Sequence, residues 1–144
     1  MQPRWIEETV QNFSDPTVGL VQGITLYLKK SWSLLWQFQS IDFFSHSVVA
    51  AAGIGRSLPI NSNANNFAFR RSVYTSLDGY GEGAKVISGD DDLFLQRVWE
   101  QGRWAILFNR NPSTVVQTEP VQTWKELFEQ RKRWGSKTLY YKPI

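Results

Sequence analysis

Residues 5–13 place Trp5, Ile6, Val10 and Phe13 at helical intervals, with Pro3 suited to a first turn and Asp15-Pro16 ending the run. The apolar stretch 18–28, Val18-Gly19-Leu20-Val21-Gln22-Gly23-Ile24-Thr25-Leu26-Tyr27-Leu28, predicts one strand. A long helix is expected over 31–52. Trp32, Leu35, Trp36, Gln39, Phe43 and the run Val48-Val49-Ala50 give it a broad apolar face, and Gly53 and Gly55 are read as its end. Asn66-Phe67-Ala68-Phe69-Arg70-Arg71 predicts a strand entering a short helix closed by Asp78-Gly79-Tyr80-Gly81. Asp90-Asp91-Asp92 open a helix that runs to Gln101 and stops at Gly102. Strands are expected at 104–108 and 114–117. Thr123 and Glu126 form a capping box for a final helix carrying Gln130 to Trp134. Mixed helices and strands, with no glycine-rich phosphate loop, indicate part of an α/β fold.

Composition narrows the chemistry. The chain of 144 residues is 42% hydrophobic, enough for a core, and its seven Trp, nine Phe and five Tyr exceed what a minimal core needs. Flat aromatic rings also cover sugar faces, although aromatic residues more often serve a core. No cysteine is present and His46 is the sole histidine, which excludes a disulfide framework and a thiolate zinc site and disfavours a Ser-His triad. His46 itself reads as a structural histidine, and acid–base chemistry must come from carboxylates.

The net charge of +3 is unevenly spread: residues 1–122 carry −1, whereas 123–144 carry +4 through Lys125, Arg131, Lys132, Arg133, Lys137 and Lys142 against Glu126 and Glu129. That end expects an anion or a membrane surface. An apolar run of the roughly 18–20 residues a membrane span needs is missing, as is a signal pattern, so the chain by itself reads as soluble. The helix already under way at Trp5 is expected to continue from a larger protein.

Asn66-Phe67-Ala68-Phe69-Arg70-Arg71, Gly89-Asp90-Asp91-Asp92-Leu93 and Gln130-Arg131-Lys132-Arg133-Trp134 stand in an order that resembles the family 2 glycosyltransferases, the inverting group of cellulose, chitin and hyaluronan synthases. The resemblance runs from Trp5 through Gly19-Leu20-Val21-Gln22-Gly23 to Trp134. It departs where Gly89 replaces the Glu of a Glu-Asp motif and where Ala64 replaces a glycine. It implies the C-terminal, acceptor-side part of a nucleotide-diphospho-sugar transferase fold, with an incomplete sheet. The donor-binding half, and its metal-binding Asp-x-Asp, would fall before Trp5. Mg2+ or Mn2+ is then expected for the intact enzyme and none for this chain, which alone should be inactive.

The resemblance makes Asp90 the base that deprotonates the acceptor hydroxyl. Gln130, Arg133, Trp134 and Lys137 are expected on one helix face, with Trp134 under the acceptor sugar and Arg131 and Arg133 on the diphosphate. Asn66, Arg70, Asp91 and Asp92 would flank an acceptor channel. Taken alone, three aspartates merely cap a helix and basic residues merely solvate one; the order of the motifs favours a site. The implied partners are a nucleotide-sugar donor and a saccharide or lipid-linked acceptor, at the cytoplasmic face of a membrane reached through flanking segments near Tyr140-Tyr141-Lys142. Exposed sheet edges should make the isolated chain self-associate. The alternatives are a non-catalytic carbohydrate-binding module, which would be β-rich without an Asp cluster, and a nucleic-acid-binding domain, which residues 1–122 disfavour by lacking positive charge.

Overall fold

A computed structural model describes residues 2–29, 32–81 and 89–135. Helix α1 (Trp5–Val10) passes through a 3-10 turn (Gln11–Ser14) into β1 (Val18–Gly23). β1 is buried along its whole length, as expected of a strand flanked on both sides. It pairs antiparallel with β3 (Phe67–Phe69), Leu20 opposite Phe69, and parallel with β4 (Ala105–Asn109), Leu20 opposite Ile106. The sheet order is β3-β1-β4, a small open sheet in a mixed α/β chain.

The single strand expected over 18–28 is two strands in two sheets. β2 (Thr25–Tyr27) leaves the first sheet and pairs parallel with β5 (Val116–Thr118). Asn66 explains the break: its Nδ2 donates to the Ile24 carbonyl, and a Cβ on Gly23 would lie 2.4 Å from that nitrogen. Glycine at 23 thus admits the amide that turns the chain.

Helix α2 (Leu34–Gly55) starts later than predicted because the Ser33 hydroxyl caps it by accepting from Trp36 N. It runs past Ala52 and Gly53 and ends at Gly55, the second of the two glycines read as its end. Gly53 serves a close approach instead, since a Cβ would stand 2.6 Å from the Leu58 carbonyl oxygen. The turn comes at Ser57, with φ of 57°.

Helices α3 (Arg71–Ser76) and α4 (Asp90–Glu100) cover the first sheet. Leu20, Val73, Leu77, Phe94, Leu95 and Val98 form the core, and Phe67, Phe69, Tyr80, Trp104 and Ile106 pack against it. Each such large side chain contributes about 1.5–3 kcal/mol on burial. Phe67, Phe69, Tyr74, Tyr80 and Phe94 form one ring network, so many of the aromatic residues serve the core rather than a sugar groove.

The second sheet carries α2 on one side. Tyr27 stacks on Phe43 at 4.4 Å, and Trp36 Nε1 donates to the Leu28 carbonyl. Buried Gln39 exchanges two hydrogen bonds with the backbone of Val121, both 3.1 Å, which sets the segment leading into α5 (Trp124–Gly135) against α2. Thr123 and Glu126 close the expected capping box at the start of α5. Gln39, Phe43, Ser47 and Ala50 line the buried side of α2, yet the other side is apolar too: Leu34 is 75% and Ile41 73% exposed. Phe38 reaches Trp124 at 5.8 Å and Phe128 is 68% exposed, so this surface continues onto α5. None of the described helices is long and apolar enough to cross a membrane.

Candidate active site

In α/β sheets, ligands bind outside the carboxyl ends of parallel strands. β1 and β4 are parallel, and at their carboxyl ends lie the break after Gly23, the start of β3 and, through the loop 61–64, the first turn of α4. Gly89 precedes α4 with φ of 100°, a conformation open to glycine and strained for other residues. The glycine in place of the family's glutamate therefore has a backbone reason.

The three aspartates that follow are not equivalent. Asp91 Oδ2 accepts from Ala64 N at 2.9 Å, and Asp92 Oδ1 accepts from Ser62 N at 2.5 Å; both residues are buried. Asp90 is exposed. Burial first, then the nearby Asp90 carboxylate, pushes the Tyr80 phenol up from its ordinary pKa. Asp91 and Asp92, expected beside an acceptor channel, have their carboxylates turned onto the backbone of the neighbouring loop.

Asn66 and Arg70 are likewise engaged within the scaffold. Asn66 Nδ2 donates to the carbonyls of Ile24 and Thr114, each at 2.8 Å, and its Oδ1 accepts from Trp5 Nε1 at 3.1 Å. Arg70 donates from Nε to the Val18 carbonyl and from Nη2 to those of Phe13 and Asp15, pinning the turn into β1. A strand-to-helix junction with two polar side chains looks in sequence like a channel wall; in three dimensions those side chains satisfy buried carbonyls.

On α5, Leu127 is the buried anchor, and the face centred on it comprises Leu127, Gln130, Arg131 and Trp134. Arg133, expected on the face with Gln130 and Trp134, is exposed on the outer side instead, because that face turns inward around Leu127. Lys137 and Tyr140-Tyr141-Lys142 lie outside the described residues. Trp134 meets Phe43 at 6.1 Å and His46 edge-on at 5.7 Å, while the Arg131 guanidinium lies 4.1 Å over its ring. Arg131 Nη1 donates to Gln130 Oε1 at 2.7 Å, and its Nε donates to Asp42 Oδ2 at 2.7 Å. Burial pushes the Tyr27 phenol up, and hydrogen bonding to Arg131 opposes the shift.

Sequence reading missed Asp42 and Tyr27 and gave His46 no neighbour. A signal for Asp42 existed: it is the one charged side chain among residues 34–55. A lone carboxylate in an apolar helix implies a cationic partner.

The two clusters share a wall. Asn61 Nδ2 donates to the His46 carbonyl at 3.1 Å, while the next residues, Ser62 to Ala64, are held by Asp92 and Asp91. The loop 61–64 thus connects the helix bearing His46, and so Trp134, to the helix bearing Asp90. Among the described residues no group of three or more His, Asp or Glu is arranged to hold a metal, and two of the three clustered aspartates are directed at backbone N–H groups. These residues do not fit a divalent-metal site.

Comparison with known proteins matches the model of the family described as glycosyl transferase family group 2 over residues 1–140. The probable glycosyltransferase YdaM of Bacillus subtilis (strain 168) is 27% identical to the chain over 128 residues, 88% of the chain. The match spans 29% of the length of that relative.

Proposed function

The chain belongs to glycosyl transferase family group 2, and from that premise we propose that it is the acceptor-side part of an inverting transferase of the cellulose, chitin and hyaluronan synthase kind. In this reading Asp90 is the base. The acceptor oxygen attacks the anomeric carbon of a nucleotide sugar as Asp90 takes its proton; the new carbon–oxygen bond forms while the bond to the diphosphate breaks. The nucleoside diphosphate leaves from the opposite face, which inverts the centre. We assign the diphosphate to Arg133 and the acceptor sugar to Trp134, with Gln130 and Arg131 supporting the indole.

One observation carries the reading: of three adjacent aspartates, two are buried on backbone N–H groups and Asp90 alone is exposed, beside the loop that connects to Trp134. A helix cap alone needs no such division, and the alternative of a carbohydrate-binding module gives the Asp cluster no task. The donor nucleotide, and any Mg2+ or Mn2+ with it, are assigned to residues outside those described, so this chain alone should transfer nothing. The bilayer surface, on the cytoplasmic side, is assigned to the exposed apolar face of α2 and α5; its support is the exposure of Leu34, Ile41 and Phe128 with Lys125 and Lys132 flanking Phe128 on α5.

Asp90→Asn in the complete transferase tests the assignment. An amide of the same volume cannot accept the proton, so transfer should fall roughly 10²- to 10⁴-fold with donor binding retained. Activity within a few-fold of wild type removes Asp90 from the role.

A further inference from the structure

Asp42 lies midway along α2, the one charged residue of that helix, and no part of the proton-transfer scheme uses it. Its carboxylate takes the Arg131 Nε hydrogen bond at 2.7 Å and also forms an ion pair with Arg131 Nη2. Both side chains are mostly shielded, at 31% and 22% exposure, so the pair is worth more than a surface bridge. Arg131 cannot then serve as an uncompensated cation for a diphosphate, because its charge is already met from α2. What the pair does instead is orient the guanidinium. With Nε and Nη2 on Asp42 and Nη1 on Gln130, the planar group is fixed, and it lies 4.1 Å over the Trp134 indole.

We propose that Asp42 is a positioning residue for sugar transfer, holding Arg131 against Trp134 and so fixing the indole on which the acceptor sugar rests. The proposal depends on the transferase reading above. Asp42 touches neither substrate nor reacting atoms and acts only through Arg131. Without it, Arg131 is a half-buried cation left with neutral partners, the Gln130 amide and the Tyr27 phenol, and is drawn towards solvent or an incoming phosphate. The indole then loses the group that covers it. Misplacement of a binding surface by about 1 Å can cost on the order of 10²-fold in rate.

The test uses the complete transferase with Asp42→Asn, Asp42→Glu and Arg131→Lys, measuring kcat and both KM values alongside the NMR signal and exchange rate of the Arg131 Nε–H. The expected result for Asp42→Asn is a rise in acceptor KM of roughly tenfold or more, with donor KM within about twofold and faster Nε–H exchange. Asp42→Glu should recover most of the loss. Arg131→Lys, which keeps the charge but not the flat fork, should reproduce the acceptor defect even if Asp42→Asn folds poorly. Unchanged acceptor KM in folded Asp42→Asn or Arg131→Lys overturns the proposal, as does an equal loss for donor and acceptor that tracks melting temperature. Rapid Nε–H exchange in the wild type also overturns it. A wild-type protein that transfers no sugar refutes the transferase reading, and this proposal with it.

Discussion

Asn66 is where a channel residue and a scaffold residue predict opposite outcomes. Its amide is buried, and truncation to alanine removes donors from the Ile24 and Thr114 carbonyls and an acceptor from the Trp5 indole N–H. The Ile24 carbonyl keeps the Val116 N–H, so its loss is partial. An orphaned buried group costs about 1–3 kcal/mol, and with two such groups and a partial third, Asn66→Ala should destabilise by roughly 2–4 kcal/mol. Against a total of about 5–15 kcal/mol that is a large fraction. Asn66→Asp should be worse than alanine, because a carboxylate would face two carbonyl oxygens. The Gly23 contact supplies a cycle: a Cβ there meets Asn66 Nδ2 at 2.4 Å, so Gly23→Ala should cost much less in the Asn66→Ala background than in wild type. Urea denaturation followed by tryptophan fluorescence and far-ultraviolet circular dichroism measures wild type, both Asn66 variants, Gly23→Ala and the double variant. A stability change under about 1 kcal/mol for Asn66→Ala, or additivity with Gly23→Ala, would refute the scaffold role. A large loss of transfer without loss of stability would restore Asn66 to the acceptor channel.

Hydrogen bonds from the backbone of Gln122 and Thr123 hold Glu126 below its usual pKa. A depressed folded pKa adds stability above the unfolded value of 4.5 that is lost as pH falls through the folded one, so the melting-temperature gap between wild type and Glu126→Gln should close on acidification. A constant gap across that range would count against the cap. Replacing Ile41 and Phe128 with serine should weaken binding to vesicles containing anionic lipid at least tenfold without altering the fold, as seen by flotation. If the double variant binds vesicles unchanged but loses a dimer present in wild type by light scattering, the apolar face joins two copies instead.

Local patterns in the sequence were enough to give the elements their type. Glycines and prolines end runs by backbone geometry, the Thr123/Glu126 box caps α5 through contacts three residues apart, and Asp90-Asp91-Asp92 open α4 where an N-terminus favours negative charge. The mixed α/β class and the family followed from these elements and from the order of three motifs. The division of 18–28 between two sheets was not legible, because the Asn66 amide that turns the chain at Ile24 arrives from more than forty residues away. Nor could spacing tell which aspartate stays exposed. Asp91 and Asp92 are consumed by the N–H groups of Ala64 and Ser62, a pairing made only when the loop folds back on α4. Helical periodicity set Gln130, Arg133 and Trp134 on one side of α5, yet the direction of that side relative to the protein depends on where Leu127 is buried. Sequence alone thus determined the elements and the chemistry on offer, since both rest on neighbours along the chain. Tertiary structure decided which polar side chains remain for a substrate, since buried carbonyl and amide groups of distant segments must first be satisfied.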